Sequence, residues 1–273
     1  MQKSTIAFIG AGNMSRAIIS GLVSGNYPTD AIMASNPSTP KLDGLKAEFG
    51  ILTTQDNVEA INFADVVVLS VKPQLMAEVC AAFSEKCDLT GKLFVSVAAG
   101  INAARLQEML GGQYPLIRTM PNTPCALGKG VVGLYASPEV SDEQKAFAQS
   151  LMANTGEVIT VDQESMIDGV IAAAGSSPAY FFLFLEAMQK KAIELGFSNE
   201  QSRVMVQQAM LGAAEMVCHN PQLELSELRA QVTSKGGTTA KAVEHLQNSG
   251  LEDIVAGAMQ AAIDRAREMS ELF

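Results

Sequence analysis

The segment from Ser4 to Ser15, STIAFIGAGNMS, places Gly10 and Gly12 between a short apolar run and a helical pattern. The first glycine permits a tight turn, and the second lets the backbone approach a ligand closely. The third position of this fingerprint needs only a small residue, here Ser15. N–H groups at the start of the next helix would then bind phosphates. Because the motif follows an apolar strand and opens a helix, it predicts a Rossmann-type dinucleotide site.

Composition limits the class of protein. The chain has 273 residues, 48% of them hydrophobic, which is enough for one or two domains with a full core. Its net charge of −10 repels nucleic-acid backbones, so we expect no nucleic-acid partner. No apolar run approaches the ~20 residues that span a bilayer, and the N-terminus lacks the pattern of a signal peptide. We therefore expect no membrane association and a cytoplasmic protein.

The cysteines carry no metal-binding pattern. The four of them show no C-x-x-C spacing, and the two histidines, His219 and His245, add no ligand spacing, so we expect no metal and reduced thiols. Cys125 lies in a proline-rich turn where a nucleophile is conceivable. Neither histidine is near it in sequence, so a catalytic cysteine is disfavoured.

The first 162 residues alternate strand-like and helical segments, which predicts a mostly parallel sheet covered by helices. Residues 163–273 instead carry helical periodicity, with breaks at Gly175–Pro178, Gly196–Ser198, Asn220–Pro221 and Gly236–Gly237. The predicted fold is α/β: a dinucleotide-binding domain over 1–162, then an all-helical domain over 163–273. The predicted strands are 6–9, 31–34, 66–71, 93–97, 116–119, 131–135 and 158–161. The predicted helices of the second half are 178–195, 199–217, 224–232, 238–247 and 251–271.

The helical half is rich in Ala and Met, which permits close helix packing. Few residues surround these helices, so part of their apolar surface needs another subunit to cover it. We expect a homodimer through this half, with a compact monomeric helical cap as the alternative.

Loops after parallel strands hold the ligand in open α/β sheets. Ser35-Asn36-Pro37-Ser38 follows the second strand, with Lys41 beyond, and no carboxylate stands there to repel a 2′-phosphate. NADPH is therefore favoured, with NADH as the alternative, since the expected arginine is also missing. The segment from Ser70 to Gln74 would border the nicotinamide ribose, and Val97 to Gly100 would form a wall of small residues for a flat ring. The turn from Arg118 to Pro124 would place polar groups nearby, its two prolines making a rigid corner.

Two polar segments of small residues precede predicted helices, at 174–180 and 233–239. Capping alone would explain either of them. Both would also supply N–H donors for a small carboxylate.

Taken together in order, FIGAGNM, SVKPQ, SVAAGI, RTMPNTP, AGSSPAYFF and TSKGGTT resemble the pyrroline-5-carboxylate reductase family over essentially the whole chain. The resemblance implies a Rossmann domain, a helical domain that forms an interlocked dimer, and in many members a ring of five dimers. It further implies the reduction of 1-pyrroline-5-carboxylate to L-proline with NAD(P)H, the last step of proline synthesis.

The resemblance also implies site residues. Thr239 would hydrogen-bond the ring nitrogen as the catalytic residue, and Asn57 would lie on the adenosine side of the cofactor. Lys235 and Ala230 depart from the family's usual Pro and Asp, two changes that bear on the rigidity of the loop that binds the carboxylate. The implied substrate-binding residues are Ser176, Ser234, Gly236, Gly237, Thr238 and Thr239. The implied cofactor-binding residues are Ile9, Gly10, Ala11, Gly12, Asn13, Met14, Ser35, Asn36, Asn57, Val71, Lys72, Pro73, Gln74, Val97, Ala98 and Ala99.

Three alternatives remain at the level of sequence. A dehydrogenase of the β-hydroxyacid type would need a Lys four residues after an Asn in the helix that follows Gly175, and SSPAYFFLFLEAMQKK has no such pair. Another imine reductase would share the two-part architecture. A nucleotide-sensing module without turnover would leave the polar 233–239 segment without a role.

Overall fold

A computed structural model describes residues 4–272 of the chain. These residues form two compact units, one of residues 4–176 with 262–272 and the other of residues 177–261. The sequence division between residues 162 and 163 follows the change from strands to helices, and it stays a prediction.

The first unit is built on one eight-stranded sheet in the order β3-β2-β1-β4-β5-β6-β7-β8. The pairs from β3 to β6 are parallel, β6 and β7 are antiparallel, and β7 and β8 are parallel. The order 3-2-1-4-5-6 is that of dinucleotide-binding sheets, whose ligand lies where the strand order reverses, here at β1 and β4. The strands are β1 (Ile6–Ile9), β2 (Ile32–Ser35), β3 (Leu52–Thr54), β4 (Val66–Leu69), β5 (Leu93–Ser96), β6 (Leu116–Pro121), β7 (Gly130–Ala136) and β8 (Gly156–Thr160).

Helices cover both faces of this sheet. In β1, Ile6 and Phe8 pack into one core and Ala7 and Ile9 into the other, and none is more than 1% exposed. This explains why the central strands read as continuous apolar runs. The helices of this unit are α1 (Asn13–Ser24), α2 (Thr39–Phe49), α3 (Asn57–Phe63), α4 (Met76–Ser84), α5 (Ala103–Leu110), α6 (Asp142–Ala153) and α7 (Met166–Val170).

The second unit is helical, as predicted. Its helices are α8 (Ser177–Glu194), α9 (Asn199–His219), α10 (Leu225–Gln231), α11 (Thr238–Asn248) and the first half of α12 (Leu251–Leu272). Ser198 caps α9, its side chain accepting from the Gln201 N–H while the Gln201 side chain accepts from the Ser198 N–H. The end of α12 belongs to the first unit, where Ala266 packs with Val161, Ile167 and Ile171.

The mostly parallel sheet and the helical second half are therefore confirmed, with strand ends shifted by one or two residues. Three elements were missed, the strand β3 and the helices α3 and α7, because each is short and β3 lies at the edge of the sheet. The predicted break at Gly175–Pro178 is present at Ser176, between the helical chain that ends at Gly175 and α8. Ile171–Gly175 is a π-helical turn that directly follows α7, so the chain before Ser176 is already helical.

The helical unit buries little of its own apolar surface. Among its described residues only Ser202, Val206 and Leu228 are buried. On α8, Phe182 and Leu183 are 63% and 68% exposed. Such a surface is typical of helices that pack against a second polypeptide chain.

One helical stretch among the described residues, Met166–Glu194, is long and apolar enough to cross a membrane by length and composition, with a mean hydropathy of 1.4 over an 18-residue window. Counting only uninterrupted apolar runs misses it, because Asp168 and Ser176 interrupt the run. Run length therefore does not exclude a membrane segment.

Candidate functional site

The glycine turn after β1 is shaped as the fingerprint requires. Gly10 has a φ of +103°, and a Cβ there would lie 2.7 Å from the carbonyl oxygen of Ser70 at the end of β4. The Ser15 hydroxyl, fully buried, donates to the Gly10 carbonyl at 2.5 Å. Gly12 is the N-cap of α1, and a Cβ there would meet no protein atom within 4 Å. The turn is therefore tightly packed on its protein side and open at Gly12, as a cradle for a pyrophosphate needs to be.

Polar side chains from the ends of β2 and α3 meet beside this turn. The Ser35 hydroxyl donates to Asn57 Oδ1 at 2.7 Å. Asn36 Oδ1 accepts from the Ala11 N–H at 3.3 Å, and its Nδ2 donates to the Ser38 hydroxyl at 3.0 Å. The structure thus brings together Ser35, Asn36 and Asn57 with the glycine turn. Sequence reasoning did not find Ser38 as the partner of Asn36, because a side-chain contact within a loop leaves no periodic signal.

The chain after β4 lies against the other side of the turn. A Cβ on Gly10 would lie 3.1 Å from Val71 Cγ1. Pro73–Leu75 forms a 3-10 turn, and α4 begins directly after it at Met76. Among the described residues, Ser70 Oγ is one of three buried side-chain polar atoms without a hydrogen-bond partner. A buried hydroxyl that lacks a partner beside the glycine turn fits a site that receives a polar ligand.

The loop of small residues after β5 is hydrogen-bonded to the end of β4. The Val97 N–H donates to the Leu69 carbonyl at 3.1 Å, and the Ala98 N–H donates to Ser96 Oγ at 3.3 Å. Gly100 has a φ of +75°, and a Cβ there would lie 2.9 Å from Met269 Cβ on α12. This loop is therefore packed from behind by the C-terminal helix.

A partly buried ion pair anchors the far end of that loop. Arg118 on β6 donates to Glu164 Oε1 at 2.6 Å, and their side chains are 8% and 27% exposed. The N–H of Ala103, the first residue of α5, donates to the same oxygen at 2.6 Å. Burial, aided by the charge of Glu164, raises the pKa of Tyr135 on β7. Glu164 was not singled out from sequence, because its partners lie 46 and 61 residues away along the chain.

The corner after β6 is held by Asn122. Its Oδ1 accepts from the Val131 N–H at 2.9 Å, and its Nδ2 donates to the Ala174 carbonyl at 3.0 Å. Cys125 is buried, and its Sγ contacts Asn122 Oδ1 at 3.8 Å.

A second cysteine of this unit, Cys80, is also buried. Burial raises the pKa of Cys80 to about 12, which keeps that thiol protonated. In the described part of the chain, no cluster of three or more His, Cys, Asp or Glu could hold a metal ion.

The two segments predicted to offer N–H donors differ in structure. Ala174 and Gly175 lie within the π-helical turn, and the Ser176 N–H is donated to the Ile171 carbonyl at 2.8 Å. The first segment is therefore not a free helix start before Ser176, because its amides already have helical partners.

The second segment is a true helix start. Gly236 has a φ of +74°, Gly237 is the N-cap of α11, and the Gly237 N–H donates to the Ser234 carbonyl at 3.0 Å. Thr238 and Thr239 form the first turn of α11, whose amides lack intrahelical acceptors. The side chains of Ser234, Thr238 and Thr239 are exposed. This turn can therefore offer both N–H groups and hydroxyls to a small anion.

The sheet order and the glycine turn are those of a Rossmann-type dinucleotide-binding protein. Residues 5–100 match the family described as NADP oxidoreductase, coenzyme F420-dependent, and residues 164–269 match pyrroline-5-carboxylate reductase dimerisation. A pyrroline-5-carboxylate reductase of Vibrio alginolyticus is 57% identical over the full length of both chains. One of Haemophilus influenzae is 45% identical, also over both full lengths. The chain belongs to the pyrroline-5-carboxylate reductase family.

Solved structures agree with this assignment. A pyrroline-5-carboxylate reductase from Coxiella burnetii, 40% identical, superposes with a TM-score of 0.92 and covers 98% of each chain. A pyrroline carboxylate reductase from Plasmodium falciparum with NADP bound is 26% identical, with a TM-score of 0.86 and 99% coverage of each chain. The dehydrogenase alternative is therefore not favoured, and the chain is an oxidoreductase.

Proposed function

We propose that this protein reduces 1-pyrroline-5-carboxylate to L-proline with NADPH, in the cytoplasm, as the last step of proline synthesis. Membership of the reductase family over the whole chain is the observation that carries this proposal. The glycine turn supports the cofactor, because a tight protein side and an open Gly12 suit a pyrophosphate.

NADPH is preferred in this proposal because the loop after β2 offers no carboxylate. Ser38 is the N-cap of α2, and the Asn36 side chain is bonded to it. Hydroxyl, amide and helix N–H groups can donate to a 2′-phosphate there, whereas an Asp or Glu would repel it. The cofactor-binding residues proposed are those of the glycine turn, of the Ser35, Asn36 and Asn57 cluster, and of the loops 71–74 and 97–99.

The substrate carboxylate is proposed to bind the turn from Ser234 to Thr239, with Ser176 as a further contact. The Thr239 hydroxyl would hydrogen-bond the ring nitrogen, accepting from its N–H when the ring is an iminium. Lys235, in place of the usual Pro, leaves the turn formed, since Gly236 still adopts its left-handed conformation and Gly237 still caps α11.

The proposed reduction fits a site that has no His or Lys proton donor assigned to the ring nitrogen. When bound, the reduced nicotinamide supplies a hydride to the imine carbon. A cyclic imine is basic enough to arrive as an iminium, so its carbon accepts hydride without the His or Lys proton donor that a ketone needs. The work of the chain is to orient the ring through Thr239 and the amides of the first turn of α11, and to hold its carboxylate.

The apolar helices of the second half are proposed to form a homodimer, with further assembly into a ring of five dimers. The exposed Phe182 and Leu183 support this, since they lie within the matched dimerisation region. The same surface accounts for the apolar character of Met166–Glu194 without a membrane.

One assay tests the proposed reaction. Loss of reduced nicotinamide absorbance is followed with purified protein and pyrroline-5-carboxylate, and separately with hydroxy acids, keto acids or no substrate. We expect oxidation with the cyclic imine alone, faster with NADPH than with NADH. Turnover of hydroxy acids but not of the imine would contradict the proposal.

A further inference from the structure

The chain leading to Ser176 contains a π-helical turn whose shape is unusual. In Ile171–Gly175 each turn accommodates one residue more than an α-helix, and the Ser176 N–H bonds to the Ile171 carbonyl, five residues earlier. Turns of this kind occur mostly singly and are frequent at functional sites. Such a turn persists only where the surrounding structure specifies it, so its contacts show what holds it.

One amide side chain specifies this turn from outside the helix. Asn122 is 7% exposed, and its Nδ2 donates to the Ala174 carbonyl at 3.0 Å. Its Oδ1 accepts from the Val131 N–H at 2.9 Å. If the amide were flipped, its Nδ2 would face the Val131 N–H and its Oδ1 would face the Ala174 carbonyl. These two partners therefore fix its orientation.

Close packing accompanies this hydrogen bond. A Cβ on Gly175 would lie 3.1 Å from Met120 Cε, and a Cβ on Gly133 would lie 2.9 Å from Val170 Cγ1. Met120 and Gly133 are cross-strand neighbours on β6 and β7. The π-helical turn thus lies directly against the corner at the end of β6, with Asn122 as its polar link.

We propose that Asn122 is a positioning residue, which fixes the π-helical turn and thereby the place of Ser176 in the substrate site. This inference rests on the proposed function, because it assigns Ser176 to the substrate carboxylate. Asn122 acts through the turn rather than on the substrate, since its oxygen and its amino group both bond to protein backbone.

The test is Asn122→Asp, which keeps the acceptor for Val131 and removes the donor to Ala174. Loss of one buried hydrogen bond predicts a rise of about tenfold in the KM for pyrroline-5-carboxylate. The KM for NADPH should stay within about twofold of the parent value, because Asn122 is not part of the glycine turn. A merely structural role would lower stability without separating the two KM values.

A matched control makes the same chemical change elsewhere in the unit. Asn154 Nδ2 donates to the Ser150 carbonyl at 3.2 Å on an exposed surface. Asn154→Asp should leave both KM values unchanged.

If Asn122→Asp fails to fold, Gly175→Ala takes its place, because its added methyl group presses only on the flexible end of the Met120 side chain. It should raise the same KM by a smaller factor, about threefold.

Hydrogen exchange at the Ser176 amide separates this inference from the proposed function. Exchange at Ser176 should be at least about tenfold faster in Asn122→Asp than in the parent protein, whatever substrate the enzyme uses. Absence of turnover with pyrroline-5-carboxylate in the parent protein would overturn the proposed function alone. Unchanged Ser176 exchange, or an equal rise in both KM values, would overturn the positioning role.

Discussion

At the scale of the residue, space around individual atoms distinguishes two glycines that look alike in sequence. Gly10 combines a left-handed φ with backbone contact to Ser70, whereas Gly12 has an ordinary φ of −81° and open space around it. Gly10 is therefore required by the protein's own packing, whereas the open space at Gly12 leaves room for the proposed cofactor.

Gly10→Ala should lower both stability and NADPH affinity, because its methyl group would meet the Ser70 carbonyl and its φ would be strained. Gly12→Ala should keep the melting temperature and weaken NADPH binding by about tenfold or more, since the methyl group fills the space for the pyrophosphate. Titration calorimetry measures NADPH binding, and scanning calorimetry measures the melting temperature. Gly44→Ala, on the open surface of α2, is the control, and it should lower neither the melting temperature nor the affinity for NADPH. An unaltered NADPH Kd in Gly12→Ala would remove this turn from cofactor binding.

Thr239 is the residue on which the proposed chemistry depends. Thr239→Val keeps the shape of the side chain and removes its hydroxyl. We expect kcat to fall by about tenfold or more, as for loss of one hydrogen bond to the reacting group, with little change in NADPH affinity. Steady-state kinetics with a separate binding titration check this, and unchanged turnover would exclude Thr239 from the mechanism.

At the scale of the element, Glu164 links three parts of the first unit. Its carboxylate accepts from Arg118 on β6 and from the amino end of α5, and it lies in the segment just before α7. A carboxylate at a helix start also interacts favourably with the helix dipole. Glu164 thus anchors the far end of the loop that borders the proposed nicotinamide site. It does so although it lies 61 residues from Ala103 along the chain.

Glu164→Gln should lower the free energy of unfolding by about 2 kcal/mol, because it leaves the Arg118 guanidinium buried without a counter-charge. Partial exposure of Glu164 keeps this below the cost of breaking a fully buried pair. Glu108→Gln breaks the exposed pair with Arg105 and should cost less than about 0.5 kcal/mol. Denaturant unfolding of both variants at one protein concentration makes the comparison, and equal costs would show that burial does not matter here.

At the scale of the whole molecule, the two units differ in how they are stabilised. The first unit buries apolar side chains on both faces of its sheet, whereas the second leaves α8 apolar and exposed. A helix of this kind is stable when another surface covers it. The match to the dimerisation family over residues 164–269 explains why the sequence keeps such a surface.

Leu183→Glu should shift the protein from dimer or larger assembly toward monomer, because the new charge would have to be buried in the interface. Lys190→Glu places the same side chain at an exposed polar position of the same helix and should leave assembly unchanged. Sedimentation velocity over a range of concentrations measures the mass. An assembly state in Leu183→Glu equal to that of the parent would contradict dimerisation through this helix.

The sequence by itself determined the sheet, the glycine turn and the helical second half, because periodicity and turn residues act over a few neighbouring positions. It also predicted the helix start before Thr238, since glycine and hydroxyl residues signal a cap locally. Only the tertiary structure decided the roles of Ser38, Glu164 and Asn122, whose partners come from separate elements or from loop contacts without a period. It also showed that the chain just before the break at Ser176 is a π-helical turn. That turn depends on Asn122, 52 residues away, and no local pattern can encode a contact over that distance.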